Sequence, residues 1–218
     1  MEKLTERFEE YLEAIFKLLH DAAPVTVGQI AESLGVSPAS VSEMVRRLRA
    51  AGLVEEDRGD GVTLTRRGRA EGARLVRRHR LSERFLVDVL EMPWDAVHDE
   101  ACKLEHALGP EVEARLAAQL GNPRTCPHGR AIPDEEGVLH EELLRPLSAL
   151  QPGDTGTIGC VTEEQSDLLR YLASLGLLPE TDVTVESVAP FGGPVLVRVG
   201  DAQYALGREV AGKIMVRG

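Results

Sequence analysis

Four of the six histidines and two of the three cysteines fall between residues 79 and 128, a clustering that marks the middle of the chain for metal chemistry. His98, Cys102 and His106 are each four apart, and Glu105 follows Cys102 by three. One face of a helix would then present imidazole, thiolate and carboxylate together, the donor types that hold divalent transition metals. His79 and Glu83 repeat the four-residue spacing. Such a pair alone is commonly a surface salt bridge and a lone cysteine is commonly core filler, but several sets in one stretch favour ligation. Glu10 and Glu13 upstream, and Cys126-Pro127-His128 downstream, are further donors of the right kind. Two other chemistries use the same residues. Cys102, His106, Cys126 and His128 could hold Zn²⁺ with Glu105 as general base, as in a hydrolase or deaminase, although no His-Glu-x-x-His stretch is present. Alternatively, Cys102 and Cys126 could pair on oxidation in a thiol redox regulator.

The elements that must position these residues are legible in the pattern. Residues 4–19 carry Phe8, Leu12, Ile15, Phe16 and Leu19 as one apolar stripe, an amphipathic helix. Thr26 can cap a short helix over 27–34, Gly35 turns the chain, and Ser37-Pro38 opens a second helix over 38–51 with Ser at the cap and Pro in the first turn. Runs 53–56 and 61–64, separated by Arg58-Gly59-Asp60, read as a β-hairpin, completing a winged helix-turn-helix. Thr65 caps a long helix to about residue 90, Pro93 starts another through 108, and a third covers 111–120. Composition then shifts: 13 glycines occupy the last 98 residues against 8 in the first 120, as when helices give way to strands and turns. Residues 121–144 form a linker. Alternation over 182–185, 195–199, 204–206 and 213–216 predicts a small β-barrel interrupted by one helix near 164–175. The fold class is mostly α with small β. The expected domains are 1–70 (DNA-binding), 71–144 (helical, with metal ligands, a dimer interface and the linker) and 145–218 (barrel).

The 218 residues are 43% apolar and 28% charged, with a net charge of −11, fitting a globular chain with at least one sizeable core. Uniform acidity would argue against nucleic acid. From Met44 to Arg80, however, 11 Arg face 5 acidic residues, a local excess beside the helix-turn-helix that suits a phosphate backbone. Three cysteines are too few and too odd for a disulfide framework, which suggests a reducing compartment. No 18-residue apolar stretch occurs, and residues 1–7 are too acidic for a targeting signal. The expectation is a cytoplasmic protein with no membrane partner and no small organic substrate.

Six stretches carry a resemblance: Glu10-Tyr11-Leu12-Glu13-Ala14-Ile15, Ile30-Ala31-Glu32-Ser33-Leu34-Gly35-Val36, Ser37-Pro38-Ala39-Ser40-Val41-Ser42, Leu64-Thr65-Arg66-Arg67-Gly68, Arg78-His79-Arg80-Leu81-Ser82-Glu83-Arg84-Phe85-Leu86 and Cys102-Lys103-Leu104-Glu105-His106. In order and spacing the chain resembles the diphtheria toxin repressor family of metal-responsive winged-helix regulators along nearly its whole length. The resemblance implies a winged helix, a helical dimerisation domain and a C-terminal SH3-like barrel of the FeoA type. It also implies a non-enzymatic homodimer that binds palindromic operator DNA when loaded with Mn²⁺ or Fe²⁺, two sites per subunit, and represses metal-uptake genes, with Zn²⁺ able to substitute in vitro. Carried over by position, the primary site comprises Glu10, Cys102, Glu105 and His106, with Glu13 available as in the manganese branch. The second uses His79, Glu83 and His98 with help from the barrel, or else Glu83 with Cys126, His128 and a barrel carboxylate, Glu163 or Glu164. Position 10 carries Glu where the iron branch has Met and the manganese branch Asp, so both metals are expected to activate. Ser37, Pro38, Ala39, Ser40, Ser42 and Glu43 are the expected base readers, and Arg46, Arg47, Arg58 and Arg66 the phosphate contacts.

Overall fold

The computed structural model describes residues 5–21, 24–56 and 61–218. They fold into two compact units. The first contains the described residues through His79, with Lys103–Glu113 and Pro133–Leu139; the second contains Arg80–Cys102, Ala114–Ile132 and His140–Gly218.

In the first unit, α1 (Glu6–Asp21) is followed by α2 (Val27–Leu34) and α3 (Pro38–Ala50). The punctuation between them is local chemistry. Thr26 and Gln29 form a capping box, each side chain bonding the other's backbone N–H, and Gly35 closes α2 at φ 62°, a left-handed angle that costs glycine little. The Ser37 hydroxyl accepts the Ser40 N–H at 3.2 Å and Pro38 occupies the first turn of α3, where its missing N–H is not needed. Leu12, Ile15, Ile30, Val41, Leu48 and Leu53 are fully buried in the core these helices share. The wing pairs β1 (Val54–Glu56) with β2 (Val62–Leu64) antiparallel, Val54 opposite Leu64, and Val25 bridges Val62 on the other side. The expected turn at 58–60 lies outside the described residues. α4 (Arg66–Asp88) begins against this wing. Thr65 Oγ1 donates to the Gly52 carbonyl at 2.8 Å and accepts the Gly68 N–H at 3.0 Å. A Cβ on Gly68 would fall 1.9 Å from the Leu53 carbonyl oxygen, so only glycine permits the approach.

The second half of α4 enters the second unit, where Leu81 packs with Ala117 of α6 (Pro110–Gln119) and Ile132. α5 (His98–Glu105) starts five residues later than the pattern suggested. Pro93 disfavours helical geometry at Met92, Glu91 takes a left-handed φ of 55°, and the segment turns before His98. Within 121–144 a bridge between Thr125 and Ala131 and a turn closed by Gly129 N–H to the Cys126 carbonyl (2.9 Å) give the Cys126-Pro127-His128 loop a fixed shape.

The C-terminal strands form one six-stranded antiparallel sheet. Its members are β3 (Arg145–Pro146), β4 (Thr155–Val161), β5 (Asp182–Val188), β6 (Val195–Val199), β7 (Ala202–Leu206) and β8 (Ile214–Arg217), in the order β3-β8-β4-β5-β6-β7. Its core is Leu147, Ile158, Leu169, Leu172, Val183, Val185, Val197 and Val216. Two helices accompany it, α7 (Ser166–Ser174) and α8 (Arg208–Lys213), where sequence alternation suggested one. β4 also escapes the pattern: Gly156 and Gly159 interrupt its apolar alternation. Among the described residues no helix is long and apolar enough to cross a membrane.

Candidate metal centres

In the first unit, three elements converge on one buried cluster. α1 contributes Glu13, α4 His79 and α5 Glu105, all buried, with one donor atom from each lying within 4.8 Å of the others. His79 Nδ1 is 2.6 Å from Glu105 Oε2 and 3.9 Å from Glu13 Oε1. Lys17, one turn along α1, pairs with Glu13 at 2.8 Å. Burial works against the Glu13 charge, but Lys17 and His79 outweigh it and hold the carboxyl down to about 2. At Glu105 burial prevails over the hydrogen bond with His79, and the neighbouring Glu13 charge adds to it, pushing the carboxyl up to about 7. Beside this cluster His106 Nδ1 sits 2.7 Å from Glu9 Oε2, and its Nε2 lies 3.5 Å from Glu105 Oε1. Burial opposes a charge on His106, yet Glu9 and Glu105 together raise its pKa. Two buried carboxylates facing each other across an imidazole are a donor set that a divalent cation fits, since it adds positive charge beyond that of Lys17, which pairs with Glu13.

Glu10 is not part of this cluster: it is exposed on α1, and its neighbour Glu9, 8% exposed, takes the position beside His106. The helical stripe could not separate them, because Glu9 and Glu10 lie four and three residues before Glu13 and both spacings share a face.

In the second unit Glu83 is the hub. It is fully buried on α4 and belongs to two donor groups, one with Cys126 and His128 and one with His98 and Glu164. His98 Nδ1 lies 2.9 Å from Glu164 Oε2, and its Nε2 lies 3.8 Å from Cys102 Sγ. Cys102, Glu164 and Glu83, in that order, raise the His98 pKa to about 11. At His128 burial opposes the charge, but Cys126 and Glu83 overcome it and the pKa again rises to about 11. Burial, reinforced by Glu83, pushes the Cys126 thiol up, which makes it inert toward oxidants until a metal draws the proton away. Glu163 is directed elsewhere and pairs with Lys213 at 3.0 Å. Trp94 accepts His128 Nε2–H on its carbonyl at 2.8 Å and places its indole 5.4 Å from the imidazole.

The prospective DNA-reading surface is the outer face of α3. Ser37, Pro38, Ala39, Ser42, Glu43, Arg46 and Arg47 are exposed, and Ser40 is half-buried. Ser42 donates to the Pro38 carbonyl at 3.0 Å, Glu43 pairs with Arg46, and the Arg47 guanidinium lies 4.7 Å over the Phe8 ring of α1. Arg66 is exposed at the start of α4, and Arg58 lies outside the described residues.

A winged helix joined to helices that carry buried acid, imidazole and thiol donors defines a DNA-binding protein equipped for divalent metal. Comparison with known proteins makes this specific. Residues 3–62 match the N-terminal DNA-binding domain of iron-dependent repressors, 65–134 their metal-binding and dimerisation domain, and 145–218 the FeoA domain. The chain belongs to the iron-dependent repressor family of metal-dependent transcriptional repressors, which includes the diphtheria toxin repressor. It is 35% identical to the iron-dependent repressor IdeR of Mycobacterium tuberculosis (strain ATCC 25618 / H37Rv) over 99% of both chains. It is 36% identical to the diphtheria toxin repressor of Corynebacterium diphtheriae over 67% of this chain and 66% of that one. A solved manganese-dependent transcriptional repressor in complex with manganese superposes with a TM-score of 0.89 at 38% identity, covering 96% of this chain and 98% of the other.

Proposed function

We propose that this protein is a cytoplasmic homodimeric repressor of metal-uptake genes whose binding to palindromic operator DNA is switched on by Mn²⁺ or Fe²⁺, with Zn²⁺ able to substitute in vitro. The observation that carries the proposal is the convergence of Glu13, His79 and Glu105. α1 donates Glu13 to that cluster and, through the same helix, packs Leu12 and Ile15 into the core of α2 and α3 and sets Phe8 beneath Arg47.

Glu13, His79 and Glu105 hold the activating ion, with His106 and Glu9 beside them. A bound divalent cation supplies the charge that lets Glu13 and Glu105 both stay ionised at close range. Without that charge the two carboxylates repel, and α1 is held by its apolar face and the Glu9–His106 pair. With it, Glu13 ties α1 to α4 and α5, and α3, seated on α1, is held in one orientation. In a dimer this fixes the spacing of two recognition helices, roughly 34–36 Å for half-sites one turn apart. Ser37, Pro38, Ala39, Ser40, Ser42 and Glu43 then meet base edges, with Glu43 leaving its exposed partner Arg46 to accept from cytosine, while Arg46, Arg47, Arg58 and Arg66 meet phosphates. Residues around Glu83 form a second, separate metal centre. By linkage, operator DNA must tighten metal binding by the factor that metal tightens DNA binding.

The test is fluorescence anisotropy with the protein's own upstream region and a metal-uptake promoter at fixed salt, with chelator, Mn²⁺, anaerobic Fe²⁺ or Zn²⁺. The expected result is metal-dependent tightening that Glu105→Gln with His79→Ala removes. Equal binding with and without every metal would overturn the proposal.

A further inference from the structure

Glu13 already has a cation beside it. Lys17, one turn further along α1, places Nζ 2.8 Å from Glu13 Oε1, and Oε1 is also the oxygen that faces His79 Nδ1, at 3.9 Å. The two partners differ in exposure: the Glu13 side chain is 8% exposed and that of Lys17 32%. A pair of opposite charges four residues apart on a helix is ordinarily a surface contact with both members in water. Here the ammonium reaches a buried carboxylate over an apolar four-carbon stem. It meets the charge without completing the hydrogen bonding. Glu13 Oε1 is buried and has no aligned hydrogen bond among the described residues, so the oxygen nearest His79 keeps unused acceptor capacity.

We propose that Lys17 is a built-in competitor for the activating ion: its ammonium occupies Glu13 in the metal-free protein, withdraws when Glu13 turns to metal, and so raises the metal concentration at which the repressor switches. This deepens the metal-dependent reading above and rests on it. The reason is Coulombic. Two cations on one buried carboxylate oxygen repel at close range, where little water screens them. The ammonium is monovalent and a third exposed, so it is the one that leaves, swinging into water on its flexible stem. Glu13 and Lys17 both belong to α1, so their pair ties that helix to nothing else. When Glu13 changes partner, an intrahelical contact becomes one that reaches α4 and α5. Every metal displaces the same ammonium, so Lys17 sets the threshold for activation without ranking the metals.

The test compares the unaltered full-length protein with Lys17→Met, which keeps an apolar stem and removes the charge. Mn²⁺ and Zn²⁺ affinities are read by equilibrium dialysis at the sites that His79→Ala with Glu105→Gln abolishes, and melting temperatures are read in chelator and at saturating metal. Lys17→Met is expected to bind both ions about tenfold more tightly, between the few-fold worth of an exposed pair and the roughly hundredfold or more of a buried one. It melts below the unaltered protein in chelator and level with it in saturating metal, because the stability lost without metal and the affinity gained are one free energy read twice. Lys17→Arg keeps the charge and leaves the affinity where it was. Arg74→Met, which removes a cation paired with Glu71 on α4, does the same. Unchanged affinity in Lys17→Met overturns the proposal. An equal rise in Arg74→Met reduces the effect to net charge and overturns it too, as does an equal fall in melting temperature with and without metal, which makes Lys17 a structural residue only. Metal-dependent DNA binding with Lys17→Met unchanged sinks this inference alone, whereas DNA binding indifferent to metal in the unaltered protein sinks the functional proposal.

Discussion

The two donor clusters are built on different plans. The one in the first unit gathers Glu13, His79 and Glu105 from three helices that are distant in sequence, and its chemistry is oxygen and nitrogen only. The one in the second unit gathers around a single carboxylate, adds the buried thiol of Cys126, and draws on the shaped loop Cys126–Gly129 and on the segment after β4. The difference teaches a division of labour: the first cluster holds the helix on which the recognition helix rests, so it suits switching, whereas the softer cluster around Glu83, with its buried thiol, suits retention.

The sharpest way to break that division is Glu105→Gln. It should abolish the metal-dependent tightening on DNA, a coupling expected to be about 5–150-fold, while Cys126→Ser keeps most of it; equal losses measured by anisotropy would erase the distinction. Next, Cys126→Ser should weaken Zn²⁺ binding by at least the roughly 10–100-fold that loss of an outer-shell partner costs, and Mn²⁺ binding less, as read by competition with a chromogenic chelator.

Acidity separates the clusters too. Metal and proton compete for the same atoms, so binding releases protons and affinity rises with pH, about tenfold per pH unit for each proton displaced. For Glu105, pushed up to about 7, the dependence flattens above neutrality; for His98 and His128, raised to about 11, it persists well into the alkaline range. Calorimetry in buffers of differing ionisation enthalpy should therefore find more protons released at pH 8 by metal binding at the second-unit cluster than at the first. The smallest effect is a control: Thr26→Ala removes the cap of α2 and should cost about 1 kcal/mol in thermal stability without changing the ratio of DNA affinities with and without metal.

The legibility of the sequence followed the range of the interactions. Thr26 with Gln29, Gly35, and Ser37 with Pro38 act within four residues, and the helix-turn-helix they punctuate has the expected limits to within a residue. β4 was hidden because Gly156 and Gly159 are chosen by close contacts, with Val216 and Leu144 respectively, rather than by alternation. Helical spacing put Glu13, His79 and Glu105 on their faces but could not choose Glu9 over Glu10. It likewise could not say that Glu164 would reach His98 while Glu163 turned to Lys213. Those choices depend on how separate elements meet. The role of Trp94 was invisible for a simpler reason: it acts through a backbone carbonyl, which every residue possesses.

Trp94 is the only tryptophan in the chain, and its indole lies 5.4 Å from the His128 ring, tilted by 37°. The protein thus carries its single tryptophan against one metal-binding candidate. Protonated imidazole and paramagnetic ions both quench indole emission, so fluorescence of the unlabelled protein, excited where tyrosine does not absorb, follows events at His128. A stopped-flow trace of that emission, recorded beside anisotropy of labelled DNA, would give the order in which the hub fills and the operator is gripped.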